Sequence, residues 1–307
     1  MPASLPLLYW IAFHVLIAVM LFVDIRVTSG KHEFSTRRAA FWTAVWLAVA
    51  AAFAAFIFVR FGKQPAFEFA AGYLVEESLS VDNLFVFLLL FRSFSIDRRN
   101  QRRVLLYGVM GAIVMRGAFI AGGVALLSHF EWVSYIFAAI LLFTAIRLLR
   151  PSEVKGTHRP KWLKLMDRIH PIAQGDHGEK FIVYENGQRA FTMLFVALVA
   201  VELTDIFFAF DSVPAVLAIT RHPFIAYTSN VLAVMGLRAL YVVLAGALER
   251  FHLLHYGLAI ILAFVAAKML LAHAVQINAA ISLAVIVATL ALFITLSLWR
   301  PPKPAAG

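Results

Sequence analysis

Cysteine is absent from the chain, and charged residues are scarce. Without cysteine the protein has no disulfide framework and no thiolate metal site, so oxygen and imidazole are the available metal ligands. Charged residues make up 14% of the 307 residues, whereas soluble domains carry about 25%. The sequence contains no phosphate-binding glycine loop, His-Glu-x-x-His pattern or serine nucleophile elbow. We therefore expect neither an ordinary soluble domain nor an enzyme, and no bound cofactor.

Apolar residues dominate instead: they make up 62% of the chain, and the mean hydropathy is +0.85. A bilayer-spanning helix needs about 20 mostly apolar residues. By that criterion the sequence predicts an all-α membrane protein with nine transmembrane helices. The predicted helices lie near residues 6–25, 39–59, 66–91, 104–127, 131–149, 191–220, 224–247, 254–272 and 276–298.

Basic residues are concentrated in alternate loops. They cluster after the first, third and fifth predicted helices and are sparse after the second, fourth and sixth. Because Lys and Arg are retained in cytoplasmic loops, this pattern predicts an outside N-terminus and a cytoplasmic C-terminus. It also accounts for the net charge of +10 without a nucleic-acid partner. We expect one polytopic domain over residues 1–307, surrounded by the lipid bilayer, with its longest cytoplasmic loop at 150–190.

Two stretches of the sequence, residues 135–149 and 256–270, share Tyr, Ala, Ile, Leu, Phe, Ala and Leu at equal spacing. Upstream of each stretch lies a predicted helix with an arginine in its middle, Arg116 in the first copy and Arg238 in the second. Further upstream lies a predicted helix with two acids six residues apart. These acid pairs are Glu76 with Asp82 and Asp205 with Asp211.

This common order predicts two copies of one three-helix unit, repeat A at 66–149 and repeat B at 191–272. Chance similarity between apolar helices is the alternative. Because three is odd, the two copies run through the membrane in opposite directions, as in transporters whose site lies at the midplane between inverted repeats. The helices at 6–25, 39–59 and 276–298 lie outside both repeats.

Six acids lie inside the third and sixth predicted helices, where an ionised side chain at the bilayer centre costs about 2.5–3.5 kcal/mol. They must therefore face the interior and be neutralised by protons, by Arg116 and Arg238, or by bound cations. Two arginines balance only two carboxylates, so a multivalent cation explains the excess more directly. The acids are Glu76, Glu77, Asp82, Glu202, Asp205 and Asp211.

The polar residues beside these acids are oxygen donors. Asn83 supplies an amide, and Ser80 and Ser212 supply hydroxyl groups. Asn83 is seven residues from Glu76, so the two share a face of a regular helix. Oxygen ligands of this kind suit hard cations such as Mg²⁺, Ca²⁺ or Mn²⁺ better than copper or structural zinc.

Helical periodicity limits which acids of the sixth helix converge. Asp205 and Ser212 are seven residues apart and share a face, whereas Asp211 lies about 120° from Asp205. Either each acid helix serves two neighbouring helices, or it is broken so that its acids converge. Pro214 favours a break, because its missing N–H frees a carbonyl oxygen beside Asp211.

Residues 76–86 and 202–215 resemble the two signature motifs of the TerC/Alx family of bacterial integral membrane proteins. The stretches at 107–112 and 229–239 extend this resemblance to most of the chain. It implies a nine-helix, multi-pass protein of the bacterial inner membrane. Members of the family are linked to tellurium-ion resistance, pH-responsive expression and manganese export. The metal path that the resemblance implies for this chain consists of Glu76, Asp82, Asn83, Asp205, Asp211 and Ser212.

The first functional hypothesis is an inner-membrane exporter whose substrate is Mn²⁺ or another hard divalent cation. The alternative is an assembly factor or metalation partner that binds other membrane proteins, acting through the 150–190 loop. A third hypothesis, an intramembrane metal hydrolase, lacks a histidine-bearing motif. Asp24, at the inner end of the first helix, is interpreted as an interfacial charge, a gate or a proton site. Further candidate residues around the metal path are Glu77, Ser80, Asp24, Glu202, Arg116 and Arg238.

Overall fold

The structure is a computed structural model of the 307-residue chain. It describes residues 6–28, 36–130, 132–149, 173, 178–185, 188–244, 253–271 and 277–299. Most of the predicted cytoplasmic loop at 150–190 lies outside the described residues. The side chain of Asp82 also lies outside them, although its backbone belongs to a described helix.

Nine helices form within the described residues, one at each position predicted from the sequence. The second, third and fourth begin three to six residues earlier than predicted, at Thr36, Lys63 and Arg98, because polar residues extend each helix before its apolar run. The helices are α1 (Leu7–Thr28), α2 (Thr36–Phe61), α3 (Lys63–Ser93), α4 (Arg98–His129), α5 (Val133–Leu149), α6 (Met193–Ile219), α7 (Pro223–Leu244), α8 (Leu254–Leu270) and α9 (Ala279–Trp299).

Six of these helices are long and apolar enough to cross a membrane: α1, α2, α4, α6, α7 and α9. α5 and α8 are apolar but have 17 residues each. α3 has 31 residues, but Glu76, Glu77 and Asp82 interrupt its apolar sequence. A helical membrane protein is therefore confirmed, and membrane crossing by all nine helices stays a prediction.

α7 lies at the centre of the helix assembly. In its apolar span 89% of the residues are buried, against 17% in the corresponding spans of α1, α2 and α9. Apolar residues occur all round these helices, so packing rather than amphipathicity decides which helix is buried. α1, α2 and α9 present apolar surfaces outward, as helices in contact with lipid do.

The acid helices and the arginine helices pack across the two predicted repeats. α3 packs chiefly against α7, and α6 packs chiefly against α4. α5 and α8, the last helices of the two units, pack against each other, and α3 also contacts α6. Each acid helix therefore lies against the arginine helix of the other unit.

The end of the predicted cytoplasmic loop forms an antiparallel hairpin that was not predicted from the sequence. Strand β1 (Ile182–Glu185) pairs with strand β2 (Gln188–Phe191). Just before β1, Glu179 forms ion pairs with Arg99 and Arg103 in the first turns of α4. The hairpin is thus held against the start of α4 and leads directly into α6.

Candidate functional site

Arg116 of α4 lies between two carboxylates that occupy matching positions in the predicted repeats. Its guanidinium donates twice to Asp205 of α6, from Nη2 to Oδ1 at 2.9 Å and from Nε to Oδ2 at 3.3 Å. Its Nη1 also donates to Oε1 of Glu76 on α3. Glu76 and Arg116 are fully buried, and Asp205 is 5% exposed. The structure therefore brings together the two carboxylates of the predicted metal ligands Glu76 and Asp205 and one predicted counter-ion, and Ser212 is a third predicted ligand in contact with Arg116.

Neutral polar side chains complete this arrangement. Asn230 of α7 donates from Nδ2 to Oε2 of Glu76 at 2.7 Å, and its Oδ1 accepts from Nη1 of Arg116 at 3.2 Å. Ser212 accepts from the same Nη1 at 3.3 Å. Ser80 makes a longer contact with Glu76, at 3.5 Å. We call the following residues the buried polar cluster: Glu76, Arg116, Asp205, Ser212 and Asn230.

The charges of the buried polar cluster do not balance. One guanidinium faces two carboxylates, so with ionised side chains one negative charge is in excess. Hydrogen bonds between ionised groups are roughly twice as strong as neutral ones and compensate part of the cost of burying charge. Removing one partner of a buried ion pair typically costs about 3–5 kcal/mol, because the other charge is left unpaired. The excess charge is what a bound cation could compensate.

Two glycines allow the helices to approach closely near the buried polar cluster. A Cβ at Gly72 of α3 would lie 2.9 Å from Oγ of Ser229 on α7. A Cβ at Gly111 of α4 would overlap the carboxylate of Glu202 on α6. Glu202 precedes Asp205 by about one helical turn. It therefore lies in the α4–α6 contact, on the side of the cluster nearer to the start of α6.

Asp211 faces a different helix from Asp205. Thr144 of α5 donates a hydrogen bond to Oδ1 of Asp211 at 2.7 Å. α6 continues without interruption through Pro214, so the break that this proline favours does not occur. Pro214 costs the helix one backbone hydrogen bond, because proline has no N–H. Residues 213–217 are all buried by packing, and this packing keeps the helix continuous. Of the two predicted geometries, the one in which an acid helix serves two neighbours holds for α6.

Two other candidate residues of α3, the partly buried Glu77 and the buried Asn83, each have one buried polar atom without a partner among the described residues. Glu77 lies near α7, where a Cβ added to Gly236 would be 3.9 Å from Oε1 of Glu77. Among the described residues, Oε2 of Glu77 and Nδ2 of Asn83 have no hydrogen-bond partner. The side chain of Asp82 is not described, so its place in the metal path stays a prediction.

Arg238, which the repeat matches with Arg116, is bonded to an acid of α1. Its Nη1 donates to Oδ2 of Asp24 at 2.7 Å. The two side chains are only 9% and 6% exposed. Asp24 is therefore a largely buried ion-pair partner rather than a freely solvated charge, and it joins α1 to the central helix α7.

The donor atoms of the buried polar cluster suit a hard divalent cation, because they are carboxylate, hydroxyl and amide oxygens. In the part of the chain that the structure describes, no group of three Asp, Glu, His or Cys side chains could hold a metal ion. The guanidinium of Arg116 fills the space between Glu76 and Asp205. A cation held by both carboxylates would therefore have to displace it.

Two partners of the acids, Asn230 and Thr144, were not predicted from the sequence. Asn230 follows Thr228 and Ser229 within an otherwise apolar helix, and that polar run was a usable signal. Thr144 gave no such signal, since a lone threonine in an apolar helix commonly bonds the backbone of its own preceding turn.

Comparison with known proteins places these features in context. Residues 61–304 match the family described as "Integral membrane protein TerC family". Alx of Shigella flexneri, whose name describes a proposed membrane-bound redox modulator, is 41% identical over 306 residues, 95% of each chain. The uncharacterized membrane protein STKORF319 of Myxococcus xanthus is 38% identical over 291 residues, 94% of this chain and 91% of its own. No solved structure matches the chain significantly.

Proposed function

The chain belongs to the integral membrane protein TerC family, and from this we propose that it is a bacterial inner-membrane transporter that exports a hard divalent cation, with Mn²⁺ as the first candidate. One observation carries the proposal. Glu76 and Asp205 come from helices far apart in the sequence, and both are buried against the same guanidinium. Ionisable residues inside a membrane are costly, and they typically mark ion pathways.

The proposed architecture is nine membrane-spanning helices with inverted repeats at α3–α5 and α6–α8. Its support is the packing of α3 against α7, of α6 against α4 and of α5 against α8, which is what two interlocked copies would produce. The buried polar cluster then lies where the copies meet, as transported substrates do in inverted-repeat transporters. Mn²⁺ enters from the cytoplasm, reaches these acids and leaves outward as the copies move against each other.

The name of the Shigella flexneri relative, a proposed redox modulator, is compatible with this proposal. Our chain contains no cysteine, so it does not itself carry out thiol–disulfide exchange. Control of the cellular level of a transition metal is one way in which a membrane protein without thiols influences redox state. The proposal includes no enzymatic activity and no resident cofactor, and the metal ion is the substrate.

Cellular manganese content tests the proposed export. Cells that lack the protein and cells that express it are loaded with Mn²⁺, and total manganese is measured by mass spectrometry. We expect expression to lower the manganese content severalfold and Asp205→Asn to abolish this effect. The substitution keeps the size of the side chain, and the buried guanidinium of Arg116 keeps Glu76 as a charged partner, so we expect the variant to fold.

Asp97→Asn is the matched control, because Asp97 is exposed and its side chain makes no capping hydrogen bond at the start of α4. It should export manganese like the wild type at equal protein level in the membrane. Unchanged manganese content on wild-type expression, or full activity of Asp205→Asn, would contradict the proposal.

A second candidate function is that of an assembly or metalation partner for other membrane proteins. The observation that favours it is the hairpin of β1 and β2, which is fixed to α4 by Glu179 and exposes Ile182 and Tyr184. Replacing the 150–190 loop with a neutral linker and recovering bound proteins from membranes separates the two functions. The transporter proposal expects manganese export to survive that replacement, and the assembly proposal expects partner recovery to be lost.

A further inference from the structure

The Arg116 guanidinium is held by acceptors of two kinds. Asp205 accepts in the two-point manner that suits a planar guanidinium, from Nη2 at 2.9 Å and from Nε at 3.3 Å. Nη1 carries two hydrogens but faces three acceptor groups, on Glu76, Ser212 and Asn230. Two of these three acceptors are uncharged, so Nη1 has partners that do not depend on the carboxylates.

This arrangement lets the guanidinium exchange carboxylates for neutral oxygens. If a cation took Glu76 and Asp205, Nη1 would keep acceptors on Ser212, at 3.3 Å, and on Asn230, at 3.2 Å. Asn230 also donates to Glu76 at 2.7 Å, so one amide contacts both the carboxylate and the guanidinium. Any buried guanidinium needs acceptors beyond its charged partners; here two of the acceptors of Nη1 would remain after a cation had taken both carboxylates.

We propose that Arg116 is a tethered competitor for the transported cation: it occupies Glu76 and Asp205 in the empty transporter and must leave them before the cation binds. The inference rests on the proposed transport function and specifies how the same residues discriminate between ions. The empty transporter thereby avoids two unpaired buried carboxylates.

Competition by Arg116 selects for cation charge. A monovalent ion such as Na⁺ brings no more charge than the guanidinium that it must displace. It also lacks the two directed hydrogen bonds by which the guanidinium binds Asp205. A divalent ion brings twice the charge to the same two carboxylates. Arg116 therefore favours divalent over monovalent ions, although it does not itself coordinate the substrate.

The test is equilibrium Mn²⁺ binding to the purified full-length protein in detergent, compared between the wild type and Arg116→Lys. Lysine keeps the positive charge but loses the two-point geometry, so it is a weaker competitor. We expect Arg116→Lys to bind Mn²⁺ about tenfold more tightly, within the usual range of such couplings. We also expect Na⁺ to weaken Mn²⁺ binding to the variant and not to the wild type.

A purely structural role for Arg116 predicts the opposite sign. Loss of the two-point pairing with Asp205 would then leave the carboxylates less firmly positioned, and Arg116→Lys would bind Mn²⁺ more weakly or equally. Either result in a folded variant overturns the inference while the transport proposal stands. Failure of the wild type to bind Mn²⁺ overturns both.

A measurement on the wild type covers the case in which Arg116→Lys does not fold. Infrared difference spectra of protein labelled with ¹⁵N-arginine, recorded with and without Mn²⁺, report whether a guanidinium changes its partners. We expect an isotope-sensitive difference band in the wild type that is absent in Asp205→Asn. A wild-type protein that binds Mn²⁺ without such a band contradicts the inference.

Discussion

At the residue scale, the position of Glu202 depends on a missing Cβ. Gly111 allows the carboxylate of Glu202 to lie directly against α4, one helical turn before Asp205. This places a third acid beside the buried polar cluster, in the contact between α4 and α6. In the proposed transport cycle Glu202 is an acid that the cation meets before it reaches Asp205, because α6 begins at the predicted cytoplasmic side.

Gly111→Ala should displace Glu202 and weaken manganese export. The added methyl group overpacks the α4–α6 contact, and such changes typically cost about 1–3 kcal/mol of stability. The measurement is thermal unfolding in detergent together with cellular manganese content. Gly122→Ala is the matched control on the same helix, because a Cβ there meets nothing within 4 Å.

Shortening the acid in the double variant Gly111→Ala/Glu202→Asp should restore much of the loss. Equal behaviour of the two alanine variants would remove the basis for this role of Gly111.

The acids were predictable from the sequence because a carboxylate inside an apolar run needs a neutralising partner. The sequence also offered Arg116 as one such partner, and the structure shows Arg116 bonded to Glu76 and Asp205. Its exact pairing was not predictable, since repeat matching gave Arg116 and Arg238 equivalent roles. Asn230 was missed because its contact with Glu76 joins residues far apart in the chain.

At the element scale, ion pairs and hydrogen bonds join helices that the repeats do not explain. Asp24 links α1, which lies outside both repeats, to Arg238 on α7. Tyr241, one turn further along α7, donates to Oε1 of Gln101 on α4 at 2.8 Å. Both links lie at the predicted cytoplasmic ends of their helices. They therefore hold α1, α4 and α7 together on the side from which the substrate would enter.

Asp24 and Arg238 should show strong energetic coupling in a double-mutant cycle. Asp24→Asn removes the carboxylate that Nη1 of the largely buried Arg238 binds, and breaking a buried ion pair typically costs about 3–5 kcal/mol. The double variant Asp24→Asn/Arg238→Gln should lose clearly less than the sum of the two single variants. Chemical unfolding in detergent provides the measurement. Arg60→Gln, at an exposed hydrogen bond between α2 and α1, is the control that should change little. Additive losses would show that the Asp24–Arg238 contact contributes no coupling.

The positions of the helices were predictable because nine apolar runs exceed or approach the length of a membrane span. The geometry within α6 was not. Pro214 suggested a break from local chemistry alone, but the helix continues because the residues around the proline are buried by neighbouring helices. The hairpin of β1 and β2 had no clear signal either, since its strands have four residues each and lie inside a long polar loop.

At the scale of the whole molecule, the distribution of basic residues predicts the orientation in the membrane. Arg98, Arg99 and Arg103 open α4, whereas the region after its last residue, His129, has no Lys or Arg before α5. The positive-inside tendency predicts that the start of α4 lies in the cytoplasm and that its end lies outside. This orientation underlies the proposed direction of transport.

Single introduced cysteines test this orientation directly, because the chain has no native cysteine to give background labelling. Ser128→Cys lies at the predicted outer end of α4, and Asp97→Cys lies just before its predicted inner end. Both positions are exposed in the structure.

We expect a membrane-impermeant maleimide to label Ser128→Cys in cells with a permeabilised outer membrane and an intact inner membrane. Asp97→Cys should be labelled only after the inner membrane is opened. The reverse pattern would invert the topology and with it the direction of export.

The central claim is that the buried acids of α3 and α6 bind the transported divalent cation. The most direct measurement is the anomalous scattering of manganese in crystals of the wild-type protein grown with Mn²⁺. We expect a manganese peak within about 2.0–2.6 Å of a carboxylate oxygen of Glu76 or Asp205, the usual range for hard divalent cations. The Arg116 guanidinium should then have left at least one of these carboxylates. A Mn²⁺-loaded structure with no manganese at either carboxylate, and with Arg116 still bonded to both, would contradict the account.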